Sequence, residues 1–106
     1  MKLRNPFSQD TRELFYDARF TCWNCGGNQS VELNHTLGRE SNSPVNASPL
    51  CRQCHSHVGH SFDEHKALFK KTLKYLAQRG YEFTNEDRAF MDSSAACREG
   101  LLELTK

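Results

Sequence analysis

"LCRQCHSHVGH", residues 50–60, sets two cysteines and three histidines within eleven positions. The C-x-x-C spacing of Cys51 and Cys54 also occurs upstream in "CWNCGG", residues 22–27, where Cys22 and Cys25 stand 25 residues before the second pair. One Zn²⁺ ion takes four thiolates at about 2.3 Å in a tetrahedron, and a two-residue spacer lets one segment supply two corners. Gly26 and Gly27 suit the tight turn that curls backbone amides toward the sulfurs. The spacing therefore predicts one Zn²⁺ site built from Cys22, Cys25, Cys51 and Cys54. Four thiolates close the coordination sphere, so this zinc braces the fold and is not a reaction centre. Two disulfides are the alternative pairing, disfavoured wherever thiols are kept reduced. Cys97 is left over and reads as a buried thiol on the last helix.

The chain of 106 residues has room for one compact domain, and its 37% hydrophobic share gives that domain a modest core in need of a staple. The opening "MKLRNPFSQD" carries no apolar run of the secretory kind, and no stretch approaches the 18–20 apolar residues (roughly) of a membrane span. A cytoplasmic protein with no membrane partner is expected. Net charge is only +1, but it is unevenly spread. Residues 1–81 hold 11 Lys and Arg against 7 Asp and Glu, whereas residues 82–106 hold 3 against 6. Any nucleic-acid surface should lie on the first three quarters of the chain.

Local patterns give an α+β chain. "SQDTRELFYDAR", residues 8–19, predicts an N-terminal helix with capping residues at Ser8 and Asp10. "SVELNH", residues 30–35, alternates as a short strand. "TLGRESNSPVNASP", residues 36–49, has loop composition, and "LCRQCHSHV", residues 50–58, has helical length ending near Gly59. Ser61 and Glu64 cap a helix whose apolar face is Leu68, Phe69, Leu73 and Leu76. After Gly80, Thr84 and Asp87 start a further helical stretch, broken at Ser93–Ser94 or at Gly100. Three parts result: an N-terminal helix in 1–20, a zinc-stapled core in 21–60 and a C-terminal helical extension in 61–106.

Between and after the cysteines, His35, Asn46 and His55 follow one another, and "NASPLCRQCH", residues 46–55, is the tightest run. This succession resembles the HNH endonuclease motif, over about a third of the chain from Cys22 to His55. The resemblance implies a ββα-metal finger: a β-hairpin whose strands flank a loop, followed by a helix, with a four-cysteine zinc as support. It implies a general base at His35, an asparagine at Asn46 that orients the base and its loop, and a catalytic divalent ion (Mg²⁺, Mn²⁺ or another) bound by His55. The residue before the base, usually Asp or His in that family, also binds the ion; here it is Asn34, a neutral amide and a weaker ligand for a hard cation. Three residues past the final histidine the family often has Lys, and this chain has Val58.

Physical chemistry agrees on several points. Helical residues are rotated by about 100° from their neighbours, so His55 turns away from the ion that Cys54 faces. A neutral imidazole can take a proton from water near pH 7, and a divalent ion relieves the charge that builds on a phosphate under attack. Strand alternation sends Asn34 and His35 to opposite faces unless the strand ends or twists there. His57, His60 and His65 read as surface or phosphate-facing residues.

For DNA, Lys66, Lys70 and Lys74 recur every four residues as a basic stripe beside Lys71, and Arg39 and Arg52 lie nearer the proposed chemistry. Such side chains hold phosphates without reading sequence. Trp23 reads as packing, and the acidic C-terminal segment as facing away from DNA. The function expected is a small metal-dependent DNA endonuclease, of the free-standing kind that phages and mobile elements carry into bacterial hosts. The other reading is a non-catalytic zinc-finger module that docks DNA or a protein with a degenerate second site.

Overall fold

A computed structural model describes residues 7–18, 20–37, 41–57 and 61–105, apart from the side chains of Ser56 and His57. Arg39, Val58, Gly59 and His60 lie outside the described residues. The centre is an antiparallel hairpin of β1 (Val31–His35) and β2 (Ala47–Cys51), with Val31 opposite Cys51 and His35 opposite Ala47. Helix α2 (Arg52–His57) follows β2 without a break. Before the hairpin comes α1 (Gln9–Leu14); after it come α3 (Phe62–Gln78), α4 (Asn85–Ser93) and α5 (Ala95–Leu104). Mixed helix with a two-stranded antiparallel sheet is the α+β composition the sequence predicts.

Several boundaries differ from the sequence reading, each for a physical reason. Composition makes "NASP" a loop, yet its last three residues open β2, whose five residues are all buried. A two-stranded sheet has only edges, so Pro49 costs no ladder bond, and its carbonyl accepts from Trp23 N at 2.9 Å. Thr72, itself fully buried, donates to the Ala47 carbonyl at 2.8 Å and joins α3 to the same strand. Burial against α3 overrides the turn-forming tendency of the residues. Leu50 and Cys51, expected at a helix start, end this strand instead. The first helix stops at Leu14, well short of residue 19, where Tyr16 N and Ala18 N turn to the carbonyls three residues back, of Glu13 and Phe15. Tyr75 then donates its hydroxyl to the freed Leu14 carbonyl at 2.6 Å.

Helix starts follow their caps. Ser8 accepts from Thr11 N, Ser61 from Glu64 N, Thr84 from Asp87 N and Ser94 from Cys97 N. The α4–α5 break falls at Ser93–Ser94 and not at Gly100, which lies inside α5 at its closest approach to α3. A Cβ there would stand 3.0 Å from the Lys66 carbonyl, so any larger residue would push the two backbones apart by a few tenths of an ångström. The main core gathers Phe15, Val45, Ala47, Phe69, Leu73, Leu76, Phe90 and Cys97 around α3. Burial pushes the Cys97 thiol up to about 12, consistent with an inert core residue. A smaller cluster of Leu50 and Leu68 packs beside three of the zinc-site cysteines. Among the described residues no helix is long and apolar enough to cross a membrane.

Candidate metal centre and the neighbouring histidines

The hairpin and α2 deliver Cys51 from the end of a strand and Cys54 from the first helical turn; the other two cysteines come from a knuckle before β1. In that knuckle Gly26 N donates to the Cys22 carbonyl at 3.0 Å and Cys22 N to the Gly27 carbonyl at 2.8 Å. Gly26 takes a φ of 79°, a left-handed conformation that glycine adopts without strain. The four sulfurs all lie within 4.8 Å of one another, and Cys25 and Cys51 are 3.9 Å apart. A tetrahedron with 2.3 Å metal–sulfur bonds has edges of about 3.8 Å. Every sulfur also accepts an N–H: Cys22 from Asn24 N and Cys25 N, Cys25 from Gly27 N, Cys51 from Cys54 N, and Cys54 from the Asn24 side chain at 3.2 Å. Donors aimed at all four sulfurs are what thiolates require.

Four charges cannot sit this close without a cation. Burial pushes the Cys22 thiol up, but backbone hydrogen bonds from Cys25, Cys51 and Asn24 outweigh it and bring the group to about 6. At Cys54 the Asn24 amide pulls down, while burial and the three neighbouring sulfurs raise it to about 12. The donor set, spacing and second layer of amides fit a zinc ion, which these cysteines could hold with no open position. Trp23 fixes the knuckle to the rest of the protein: its ring meets Phe15 and Tyr75 at 6.0 and 5.7 Å, and Lys71 donates to its carbonyl. Its packing role is as the sequence suggests.

His35 ends β1, on the edge of the loop that joins the strands. Its ring stacks on Phe7 at 4.1 Å with an interplanar angle of 18°, and Nε2 meets Asn42 Oδ1 at 2.8 Å. Asn46 is fully buried at the other end of the same loop. Its Oδ1 accepts from Leu37 N and its Nδ2 donates to the Ser41 carbonyl, both at 2.9 Å, while its own carbonyl accepts from Thr36 N at 2.7 Å. Asn46 therefore clasps both ends of the loop beside His35. Asn34 and His35 take different partners. Asn34 is buried, and its Nδ2 donates to the carbonyls of Glu32 and Leu50 at 3.0 and 3.3 Å. That bond reaches across the hairpin to the residue two before α2. His55 is exposed on α2. Among the described residues the four cysteines form the one cluster of three or more Cys, His, Asp or Glu ligands.

The basic stripe divides. Lys66 and Lys70 both reach Glu103 of α5, at 3.1 and 3.6 Å. Lys74 instead lines a groove with Lys71, Trp23, Asn24, Tyr75 and Gln78, beside the cysteine knuckle. Arg52 is exposed and pairs with Glu32 at 3.7 Å. His65 lies in the first turn of α3, half-buried.

Sequence reasoning missed Asn42, Ser43 and Asp87. Asp87 reads only as a capping residue, which it is: its carboxylate accepts from Thr84 N at 2.9 Å. The same group, 2% exposed, also accepts from the hydroxyls of Ser43 and Tyr81 at 2.6 Å each. Ser43 caps a 3-10 turn (Pro44–Asn46) and accepts from Val45 N at 3.0 Å. No spacing rule links residues 43 and 87, so only the tertiary fold reveals this tie between α4 and the loop. Comparison of the chain with protein-family models, with curated proteins and with solved structures returned no match.

Proposed function

We propose that this protein is a metal-dependent DNA endonuclease of the HNH type, hydrolysing phosphodiester bonds. The observation that carries the reading is the loop between β1 and β2: an imidazole stands at its entrance and a fully buried asparagine ties both its ends. That arrangement, on a hairpin followed by a helix and braced by four cysteines, is what HNH chemistry asks of its base and its loop. His35 acts as the general base, taking the proton of the attacking water; general bases contribute about 10²–10⁴-fold. Asn46 holds the loop that fixes the approach to that base. Asn34 Oδ1 and the His55 imidazole are the groups that would hold a catalytic divalent ion, Mg²⁺ or Mn²⁺. Such an ion, when bound, offsets the charge that builds on the phosphate and the leaving oxygen. Asn34 has already committed its amide nitrogen to the main chain, which leaves Oδ1 as its ligand atom. Within the stripe Lys74 is the exposed cation best suited to phosphate contacts, since Glu103 holds Lys66 and Lys70; Arg52, which would exchange Glu32 for phosphate, and Arg39 belong to the same proposal.

Supercoiled plasmid incubated with zinc-loaded protein and Mg²⁺ or Mn²⁺ tests this. Nicking is expected, and His35→Ala should lower its rate by about 10²–10⁴-fold. Equal nicking by both proteins would trace the activity to a contaminant and end the proposal. Asn34→Asp supplies a charged ligand in exchange for the two main-chain bonds of Nδ2; variant protein that keeps its thermal transition should need about tenfold less metal for half-maximal nicking. An unchanged requirement would remove Asn34 from the ion site.

A second reading, a zinc module that binds DNA or a protein without cleaving, draws support from the neutral Asn34 and its main-chain bonds. It expects plasmid to remain supercoiled with every ion while binding persists.

A further inference from the structure

We infer that Asn42 is a positioning residue for His35, fixing the imidazole with its proton on Nε2 and Nδ1 as the proton-accepting nitrogen. This inference rests on the nuclease reading and goes beyond it, because it concerns a loop residue outside the motif. An amide oxygen can only accept a hydrogen bond, so the ring nitrogen 2.8 Å from Asn42 Oδ1 must be the one that carries hydrogen. In a neutral imidazole the other nitrogen then holds the lone pair, and the partner of one nitrogen decides the role of the other.

Asn42 is exposed, yet both its neighbours are anchored. Ser41 gives its carbonyl to Asn46 Nδ2 at 2.9 Å and its hydroxyl oxygen to Ser43 N at 3.0 Å. Ser43 donates to the buried Asp87 carboxylate at 2.6 Å. The amide of Asn42 thus sits between two pinned residues, one tied to the hairpin and one to α4. From the other side, the buried Phe7 ring lies nearly parallel to the imidazole at 4.1 Å and limits its rotation. Stacking fixes the plane of the ring, and Asn42 selects its edge.

The test uses full-length, zinc-loaded protein at about pH 8, where imidazole is largely neutral. Long-range proton–nitrogen correlation spectra of the His35 ring should show the Nε2–H tautomer, with an Nε2 proton protected from solvent exchange. In Asn42→Ala that protected proton should vanish, and the maximal nicking rate should fall about 10- to 100-fold with little change in KM. Asn42→Gln, which restores an amide oxygen on a longer stem, should recover part of the rate. A His35 ring with its proton on Nδ1, or an unchanged Nε2 signal in Asn42→Ala, overturns the inference even if His35→Ala is inactive. If His35→Ala nicks as well as wild type, the nuclease reading itself fails, whatever the spectra show.

Discussion

Keeping zinc from the four-cysteine cluster, with a strong chelator or by Cys51→Ser, is expected to abolish the cooperative thermal unfolding of this protein. Two strands of five residues each make a hairpin too small to persist in water unaided. Helix α2 has six residues, far below the length at which an isolated helix is stable. The knuckle, β2 and α2 meet where their sulfurs converge. Zinc binding in small domains is worth about 10–16 kcal/mol, as large as the whole stability of a typical domain. Loss reaches beyond the site, because Val45 and Ala47 belong to the same core as Phe69 and Leu76 of α3. The check is differential scanning calorimetry beside metal analysis. One zinc per chain and a transition that disappears on chelation are expected; a transition unmoved by complete metal removal would show that the cluster braces nothing. Protons compete with zinc for thiolates, so the transition also weakens as pH falls.

Asp87→Asn is expected to cost about 3 kcal/mol of stability at neutral pH. The carboxylate accepts from two hydroxyls and a backbone amide inside the protein, and removing its charge leaves donors facing a poorer partner; each charge-assisted bond is worth about 1.5–3 kcal/mol. Burial raises the Asp87 carboxyl, but the bonds from Ser43, Tyr81 and Thr84 outweigh it and hold the group below its usual range. Burial and the same carboxylate push the Tyr81 hydroxyl up, so it remains a donor throughout the neutral range. The sign follows directly. A carboxyl lower in the folded than in the unfolded state stabilises fully above the unfolded value, about 3.9, and loses that contribution as pH falls through the folded one. Urea titrations of wild type and Asp87→Asn should therefore differ most near neutrality and converge in acid. A constant gap down to about pH 2 would assign the effect to shape and not to charge.

Much of this was legible in the sequence, and what was not has a common cause. The cysteine site was readable because metal geometry constrains both spacing and residue type, and the caps at Ser8, Ser61 and Thr84 because they act within four residues. β2 was hidden: "NASP" has the composition of a turn, and only burial against Thr72 and the knuckle makes it a strand. The resemblance implied that second strand where composition did not. Lys66, Lys70 and Lys74 looked equivalent because helical periodicity cannot see Glu103, which arrives from α5. Asn42 and Ser43 lacked any signal, since their partners His35 and Asp87 stand 7 and 44 residues away.

One consequence of Cys51 standing opposite Val31 concerns how the hairpin finds its pairing. Sliding either strand by a single position turns every side chain to the other face, and Cys51 would then point away from Cys22 and Cys25. A mispaired chain cannot complete the tetrahedron. An ion held by the four sulfurs would thus proofread the alignment of the strands, and with it the setting of the loop between His35 and Asn46.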